Sequence, residues 1–494
     1  MPKVLKRATG PIPWSDKLFR AALVLSVICA AIAFIFPTKG DPGGWAMFPV
    51  AFLITFIIMT QGRMIEGFVL GSTIAFIVGT KTGFFWEFID SYYAVQGMED
   101  IIWMIGMIMG MGAILVLMEV SGVSFAFAKW LGDKAKGEKS ALRYTFLLGI
   151  IVFLDDYLNC IMVGSSMRPV TDKFKVSREE LAYVVDSTAA PVSVLVPVSS
   201  WVAFGAICVA DAGIVDDTMG FMIKTIPFNF YAWTTLILVF LLLNRFVPHY
   251  GPMKAAVKRA RDTGQLAPPN SSELTEGAVE KEGIWKFNFL VVMVILIIAT
   301  LYFDIDLMIG TFVTIIAMFV LFLLQRIMTI KEFFDTCIKG FQSMVPVSVL
   351  LVFIFIFLDS VERLGFQQYV IDAAEPYLAD IPWMMPVICF VIFSVTEFAT
   401  GSTWGLYALA FPIVLPLAVA VGANEVLSIA AVFSAGAVGA HMCMYSDNMV
   451  LSGTASGCNI FRHAITQLPY CLTTWFISVI LFAISGYMFQ GSVL

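Results

Sequence analysis

The sequence predicts an all-α polytopic membrane protein, built as two inverted repeats of transmembrane helices with re-entrant hairpins and broken helices. Three observations predict it. First, of 494 residues 59% are hydrophobic and 13% charged, about half the ~25% charge of ordinary soluble domains. So little charge cannot cover a water-facing surface. Second, runs such as 289–302 and 307–324 are almost wholly apolar. With their flanks they reach the ~20 residues a helix needs to cross ~30 Å of hydrocarbon. Apolar–polar alternation of period two is absent, which argues against an outer-membrane barrel. Third, the distribution of charge along the loops exposes segments that enter and leave on one side.

The elements follow in order. Lys3, Lys6 and Arg7 precede the apolar run 21–36. That run is long for a signal-peptide core and is followed at once by more spans, so it is expected as the first transmembrane helix. Further spans are expected near 45–61, 65–83, 101–120, 186–210, 226–246, 287–303, 307–325 and 340–359. Several more follow toward the C-terminus, ending near 468–489. Lys and Arg gather on the cytoplasmic side. The basic stretches 129–143, 168–178, 245–261 and 326–339 therefore mark the inside, as does the N-terminus, and the acidic ones at 211–217, 304–306 and 372–380 mark the outside.

Two basic stretches flank the apolar segment 144–167, yet only one apolar segment lies between them. A hairpin that enters and leaves on the cytoplasmic side resolves the conflict. Its middle carries Asp155, Asp156 and Asn159, tolerated at that depth only against protein or a wet cavity. In the second half, 383–398 and 406–421 flank the polar break 400–405 between stretches that both read as outside. Two hairpins of opposite orientation are the mark of inverted repeats, with the site between them at mid-membrane. The expected domains are an N-terminal repeat 1–247 with its hairpin 144–167, a hydrophilic cytoplasmic linker 248–285, and a C-terminal repeat 286–494. The charges of the linker read as a solvated loop.

Several function classes drop out. Walker A, GxGxxG, HExxH and GxSxG patterns are missing. Neither an enzyme nor a nucleotide-driven pump is expected, and no cofactor. No basic patch with interleaved aromatics points to nucleic acid. Eight scattered cysteines form no CxxC and read as small buried hydrophobes. What remains is secondary transport driven by an ion or solute gradient.

Polar clusters interrupt the apolar segments. One holds Asp155, Asp156 and Asn159. A second holds Asp186, Ser187 and Thr188, with Pro191 and Pro197 beyond. A third is split between Glu397, Ser402 and Thr403 on one side and Ser446, Asp447 and Asn448 on the other. Gly and Pro break helices and free backbone carbonyls. Carbonyls and hydroxyls are hard oxygen ligands suited to a dehydrated alkali cation, and a carboxylate balances its charge or exchanges it for a proton. Plainer readings stand beside these. Adjacent carboxylates point to different sides of a helix, so one of Asp155 and Asp156 can act as a cap. Asp186 can be an N-cap, and Glu397 can pair with Lys or Arg. His441 is either a proton relay or a packed polar residue. The Met-rich 104–111 stretch, with Gly106, Gly110 and Gly112, reads as a close helix-packing face.

In these clusters the chain resembles the NhaC family of sodium/proton antiporters, within the broader ion transporter superfamily. The carrying segments are 153–159, 163–173, 177–183, 186–191 and 197–201, then 401–405 and 446–454. The resemblance spans about 100–480, and the long run 153–201 is its specific part. It implies inverted repeats, Na+/H+ exchange and the cytoplasmic membrane of a prokaryote. It carries ion-site roles onto Asp155, Asp156, Asn159, Asp186, Ser187, Thr188, Ser402, Thr403 and Asp447, with Na+ expected on Asp156, Asn159, Thr188 and Asp447. The partners expected are membrane lipid, Na+ and H+, and a homodimer is compatible with this plan. The family often has an acidic residue where Ala440 precedes His441, and Ser-Asp-Thr-Thr where this chain has 446–449. Its members include carriers of organic solutes. Coupled transport of an amino acid or carboxylate is therefore the alternative, with Tyr157, Trp201, Trp404 and Tyr407 lining such a pocket.

Overall fold

The computed structural model describes residues 17–35, 43–60, 63–96, 99–153, 155–268, 271, 284–303, 306–401, 403–444 and 446–490. Among them there is no strand. In a bilayer a helix satisfies every backbone group within its own segment, and long apolar runs leave no other choice. The first helices are α1 (Lys17–Ile35), α2 (Phe48–Thr60), α3 (Met64–Thr80), α4 (Phe84–Gln96), α5 (Glu99–Val120), α6 (Val123–Gly132), α7 (Glu138–Ile151) and α8 (Asp156–Lys173). Next come α9 (Arg178–Ser187), α10 (Ala190–Ser193), α11 (Ser200–Asp211), α12 (Thr218–Thr225), α13 (Phe230–Leu243), α14 (Gly251–Thr263), α15 (Asn288–Tyr302) and α16 (Leu307–Leu324). The last are α17 (Ile330–Glu362), α18 (Phe366–Leu378), α19 (Met385–Thr400), α20 (Thr403–Val421), α21 (Glu425–Met442), α22 (Asp447–Ala455) and α23 (Ile460–Met488). Among the described residues eight helices are long and apolar enough to cross a membrane, or nine if the bent pair Thr218–Phe228 and Phe230–Leu243 is one span.

The chain forms two compact units, each discontinuous in sequence. One comprises Met1–Ile101 and Val349–Tyr377, the other Ile102–Ser348 and Leu378–Leu494. In the first, α1 and α2 pack on α3, and Gly71 admits the Phe357 ring. Arg363 pairs there with Glu87 and Asp359.

The second unit holds all the polar clusters. Its central element is α21, with 89% of its length buried. This helix packs on α19 and α20 through small residues: a Cβ at Gly439 would meet Glu397, and one at Gly436 would meet Tyr407. The Met-rich face of α5 is a packing surface. Gly110 abuts Thr311, where a Cβ would come within 2.6 Å, and Gly112 abuts the backbone of Gly340.

Three expectations change. The run 186–210 is not one span. It divides into the end of α9, the single turn α10 and then α11, because Pro191 and Pro197 cannot continue a helix and Ser199 caps a new one, accepting from Val202 N at 3.2 Å. Asp186 is no N-cap; it lies one residue before the end of α9. Within the linker 248–285, residues 251–263 are no solvated loop but the amphipathic α14, with Met253, Ala256, Val257 and Ala260 buried. Its Arg259 clasps the fully buried Glu179 through two bonds, 2.9 and 2.8 Å. Arg261 pairs with Glu138 at 2.6 Å. The arginines read as loop charges are ion-pair partners, invisible in sequence because the carboxylates lie more than 70 residues away. Part of the linker, 269–270 and 272–283, lies outside the described residues.

Candidate ion-binding site

The apolar segment 144–167 resolves into α7, a non-helical link and α8, and the two helices pack on each other. The break is made by the residues at its tip. Asp155 turns its carboxylate back as the N-cap of α8, its Oδ1 accepting from Tyr157 N at 2.9 Å and Leu158 N at 3.1 Å. Asn159 tidies the other side: its Nδ2 donates to the carbonyls of Gly149 (2.6 Å), Val152 (3.0 Å) and Thr188 (2.8 Å). Thus one amide seals the end of α7 and ties the hairpin to the end of α9.

Because Asp155 is turned to capping, Asp156 faces the interior. Its Oδ1 accepts from the Trp201 indole N–H at 3.2 Å, and Asn448 also faces it. The first turn of α8 then reaches across to α22: the Tyr157 hydroxyl donates to Asp447 Oδ2 at 2.9 Å. Asp447 is accessible, and its partner Tyr157 lines a crevice. The crevice is lined by Asp155, Tyr157, Ser200 and Trp404 together with Met107, Met111 and Met344. Asp155, Asp156, Asp447 and Asn448 are therefore brought to one place. α8 and α22 approach closely because Gly164 leaves room for Ala455; a Cβ there would stand 2.7 Å from the Ala455 methyl.

The other expected residues sit around this centre. Thr188 turns its hydroxyl to its own helix, donating to the carbonyls of Val184 (3.0 Å) and Val185 (3.1 Å). Its backbone carbonyl accepts from Asn159 of the hairpin, and its side chain packs on Gly149 of α7. Ser446 caps α22, accepting from Met449 N at 3.3 Å and donating to the Ala440 carbonyl at 2.7 Å. Glu397 is buried beneath the break between α19 and α20, where Gly401 takes a left-handed φ of 64°. Thr403 donates to Glu397 Oε1 at 2.7 Å. Tyr407 stands between this group and Trp201, with ring centroids 5.9 Å apart. Ser402 lies outside the described residues.

Asp186 and Ser187 form a separate, wholly buried cluster with His441 and with Gln467, His463 and Tyr231, which sequence reasoning missed. Gln467 Nε2 donates to Asp186 Oδ2 at 2.7 Å, and His463 Nε2 lies 3.5 Å from the same oxygen. Ser187 Oγ meets His441 Nε2 at 3.0 Å, and Tyr231 meets His441 Nδ1 at 2.9 Å. A signal for Gln467 and His463 does exist. Positions 463, 467, 470, 474 and 478 of the last helix are His, Gln, Tyr, Thr and Ser, a polar stripe at helical spacing inside an apolar span. All five are buried.

Among the described residues no group of three or more His, Cys, Asp or Glu side chains could hold a metal ion. The candidate centre is one of mixed oxygens, which suits an alkali cation rather than a transition metal.

Comparison with known proteins places these residues in context. The model of the Na+/H+ antiporter family matches residues 200–487. Over 491 residues the chain is 29% identical to an uncharacterized protein of Haemophilus influenzae, covering 90% of this chain and 92% of that one. Among solved structures it is similar to the YdaH transporter of Alcanivorax borkumensis, with a TM-score of 0.54 and 12% identity over 84% of this chain and 91% of that one. It is also similar to MtrF of Neisseria gonorrhoeae, with a TM-score of 0.48 and 12% identity over 96% and 95%.

Proposed function

The chain belongs to the Na+/H+ antiporter family, and on that premise we propose that Asp156 and Asp447 bind Na+ and H+ alternately at the crevice, with Asp155 fixing the geometry of the hairpin tip. The protein is a multi-pass membrane protein and a secondary transporter of the NhaC type. The observation that carries the site is the hydrogen bond from Tyr157 to Asp447. It joins the neighbour of Asp156 to a carboxylate 290 positions along the chain, each at the start of a helix that follows a break. A carboxylate shielded from bulk water needs a counter-charge, and either Na+ or a proton supplies it; two ions competing for one charge are exchanged, not carried together.

In this reading Asn159 and Glu397 hold the breaks open, Asn448 and Ser446 shape the α22 side, and Thr188 contributes its carbonyl. The two broken elements belong to oppositely oriented repeats in a prokaryotic cytoplasmic membrane, with the N-terminus inside. Na+ and H+ are cargo, and no cofactor takes part. The test is exchange in proteoliposomes: imposed Na+ collapses a preset pH gradient, and Asp156→Asn with Asp447→Asn abolishes the effect. Full exchange by that double variant would sink the assignment.

One observation favours a second reading. The crevice wall beside the carboxylates is apolar and aromatic, with Met107, Met111 and Trp404, and Trp201 packs on Trp404 and Tyr407. Such a surface takes a small organic solute. Solute uptake that requires Na+ and is lost in Trp404→Ala would establish this alternative.

A further inference from the structure

The buried cluster around Asp186 has an imbalance of donors and acceptors. Gln467 Nε2 faces two acceptors, Asp186 Oδ2 and the His441 carbonyl. That fixes the amide orientation and turns Oε1 away. Ser452 Oγ has one hydrogen, which goes to the Asn448 carbonyl at 2.6 Å. The serine oxygen must then accept from His463 Nε2 at 3.0 Å, so His463 carries a proton on Nε2. Three atoms are left over, all buried and without hydrogen-bond partners among the described residues: Asp186 Oδ1, Gln467 Oε1 and His463 Nδ1. The two oxygens are acceptors. Asn159, which donates to the carbonyl of Thr188 two residues beyond Asp186, leaves its own Oδ1 buried and unpartnered.

Buried acceptors without donors are costly, and a buried carboxylate without a counter-charge is more so. Buried oxygens left without donors are complementary to a cation. We propose that Asp186 Oδ1 and Gln467 Oε1 are ligands of a second, occluded site for a small hard cation, apart from the Asp156–Asp447 crevice. It rests on the antiport reading in taking Na+ as the ion. Oxygen donors of this kind suit Na+. His463 is a positioning residue that orients Asp186 through Oδ2 and links it to α22 through Ser452.

The probe is Na+ alone. The thermal midpoint of the purified full-length protein is followed at alkaline pH as NaCl replaces choline chloride at constant ionic strength. The wild type is expected to rise with Na+. Gln467→Leu shifts the half-maximal Na+ concentration upward about tenfold, equivalent to ~1.4 kcal/mol. Asp156→Asn keeps part of the Na+ response, which the Asp156→Asn, Gln467→Leu double variant loses. Gln467→Glu places a second charged oxygen at the same position and enlarges the response. Wild-type Na+ dependence in both Gln467 variants overturns the proposal, as does a wild type indifferent to Na+; if Gln467→Leu does not fold, the isosteric Gln467→Glu decides alone. Failure of the antiport reading is seen separately, as absent exchange in proteoliposomes by a protein that still shows the Na+ response.

Discussion

At the residue scale, the hairpin tip divides labour between neighbours. Asp155 and Asp156 are chemically identical, yet one becomes a cap and the other faces Trp201, because successive positions at a helix start point in different directions. Tyr157 makes the third contact, to Asp447. Replacing it with Phe removes one hydrogen bond to a charged group while keeping the ring. The expected loss is about 1.5 kcal/mol, a rise of roughly tenfold in half-saturating Na+ with maximal exchange rate retained. Half-saturation unchanged from wild type would show that Asp447 is not at the binding centre.

At the element scale, the site depends on helices that approach more closely than most side chains permit. Gly164 on α8 sits against Ala455, the last residue of α22, and the backbone of Ser456 just beyond it. Gly164→Val forces the two carboxylate-bearing helices apart, and overpacking of this kind costs about 1–3 kcal/mol. Both the thermal midpoint and exchange are expected to fall, with exchange falling even in a second-site stabilised background; a stable, fully active variant would show that α8 and α22 need not touch.

The linker is the second element-scale finding. At the foot of α9, Glu180 accepts from His249 at 2.9 Å and Arg245 at 3.3 Å. Burial by itself raises its pKa, but the His249 hydrogen bond and the Arg245 and Arg261 charges outweigh it and hold the carboxyl below its ordinary value. A carboxyl depressed in the folded state adds stability that is complete above the unfolded value, about 4.3 for Glu, and is lost as pH falls through the lower folded value. The thermal midpoint of the wild type should therefore drop in acid, and Glu180→Gln should start lower at neutral pH and decline less steeply. Parallel curves would mean the cluster contributes nothing to folding.

At the scale of the whole molecule, all eight cysteines are buried and none is in a disulfide. Their spacing already reads as that of small hydrophobes. A bulky water-soluble maleimide should label none of them in the native protein, reductant should leave the thermal midpoint unchanged, and denaturation should expose all eight. Rapid labelling of the native protein would contradict this packing.

What the sequence determined alone is the membrane character, the helical class and the broken polar segments. These follow from local properties: apolar run length, and Gly, Pro or carboxylates inside such runs, act over ~20 residues and need no knowledge of the fold. Only the tertiary structure decided which groups meet. The Tyr157–Asp447, Asp186–Gln467 and Glu179–Arg259 pairs join residues 290, 281 and 80 apart. Partnership at that distance is set by helix packing, which no single run encodes. The same holds for roles: whether an aspartate caps a helix or faces a crevice is fixed by where its neighbours place it, so Asp155 and Asp156 could not be told apart until α8, α11 and α22 stood around them.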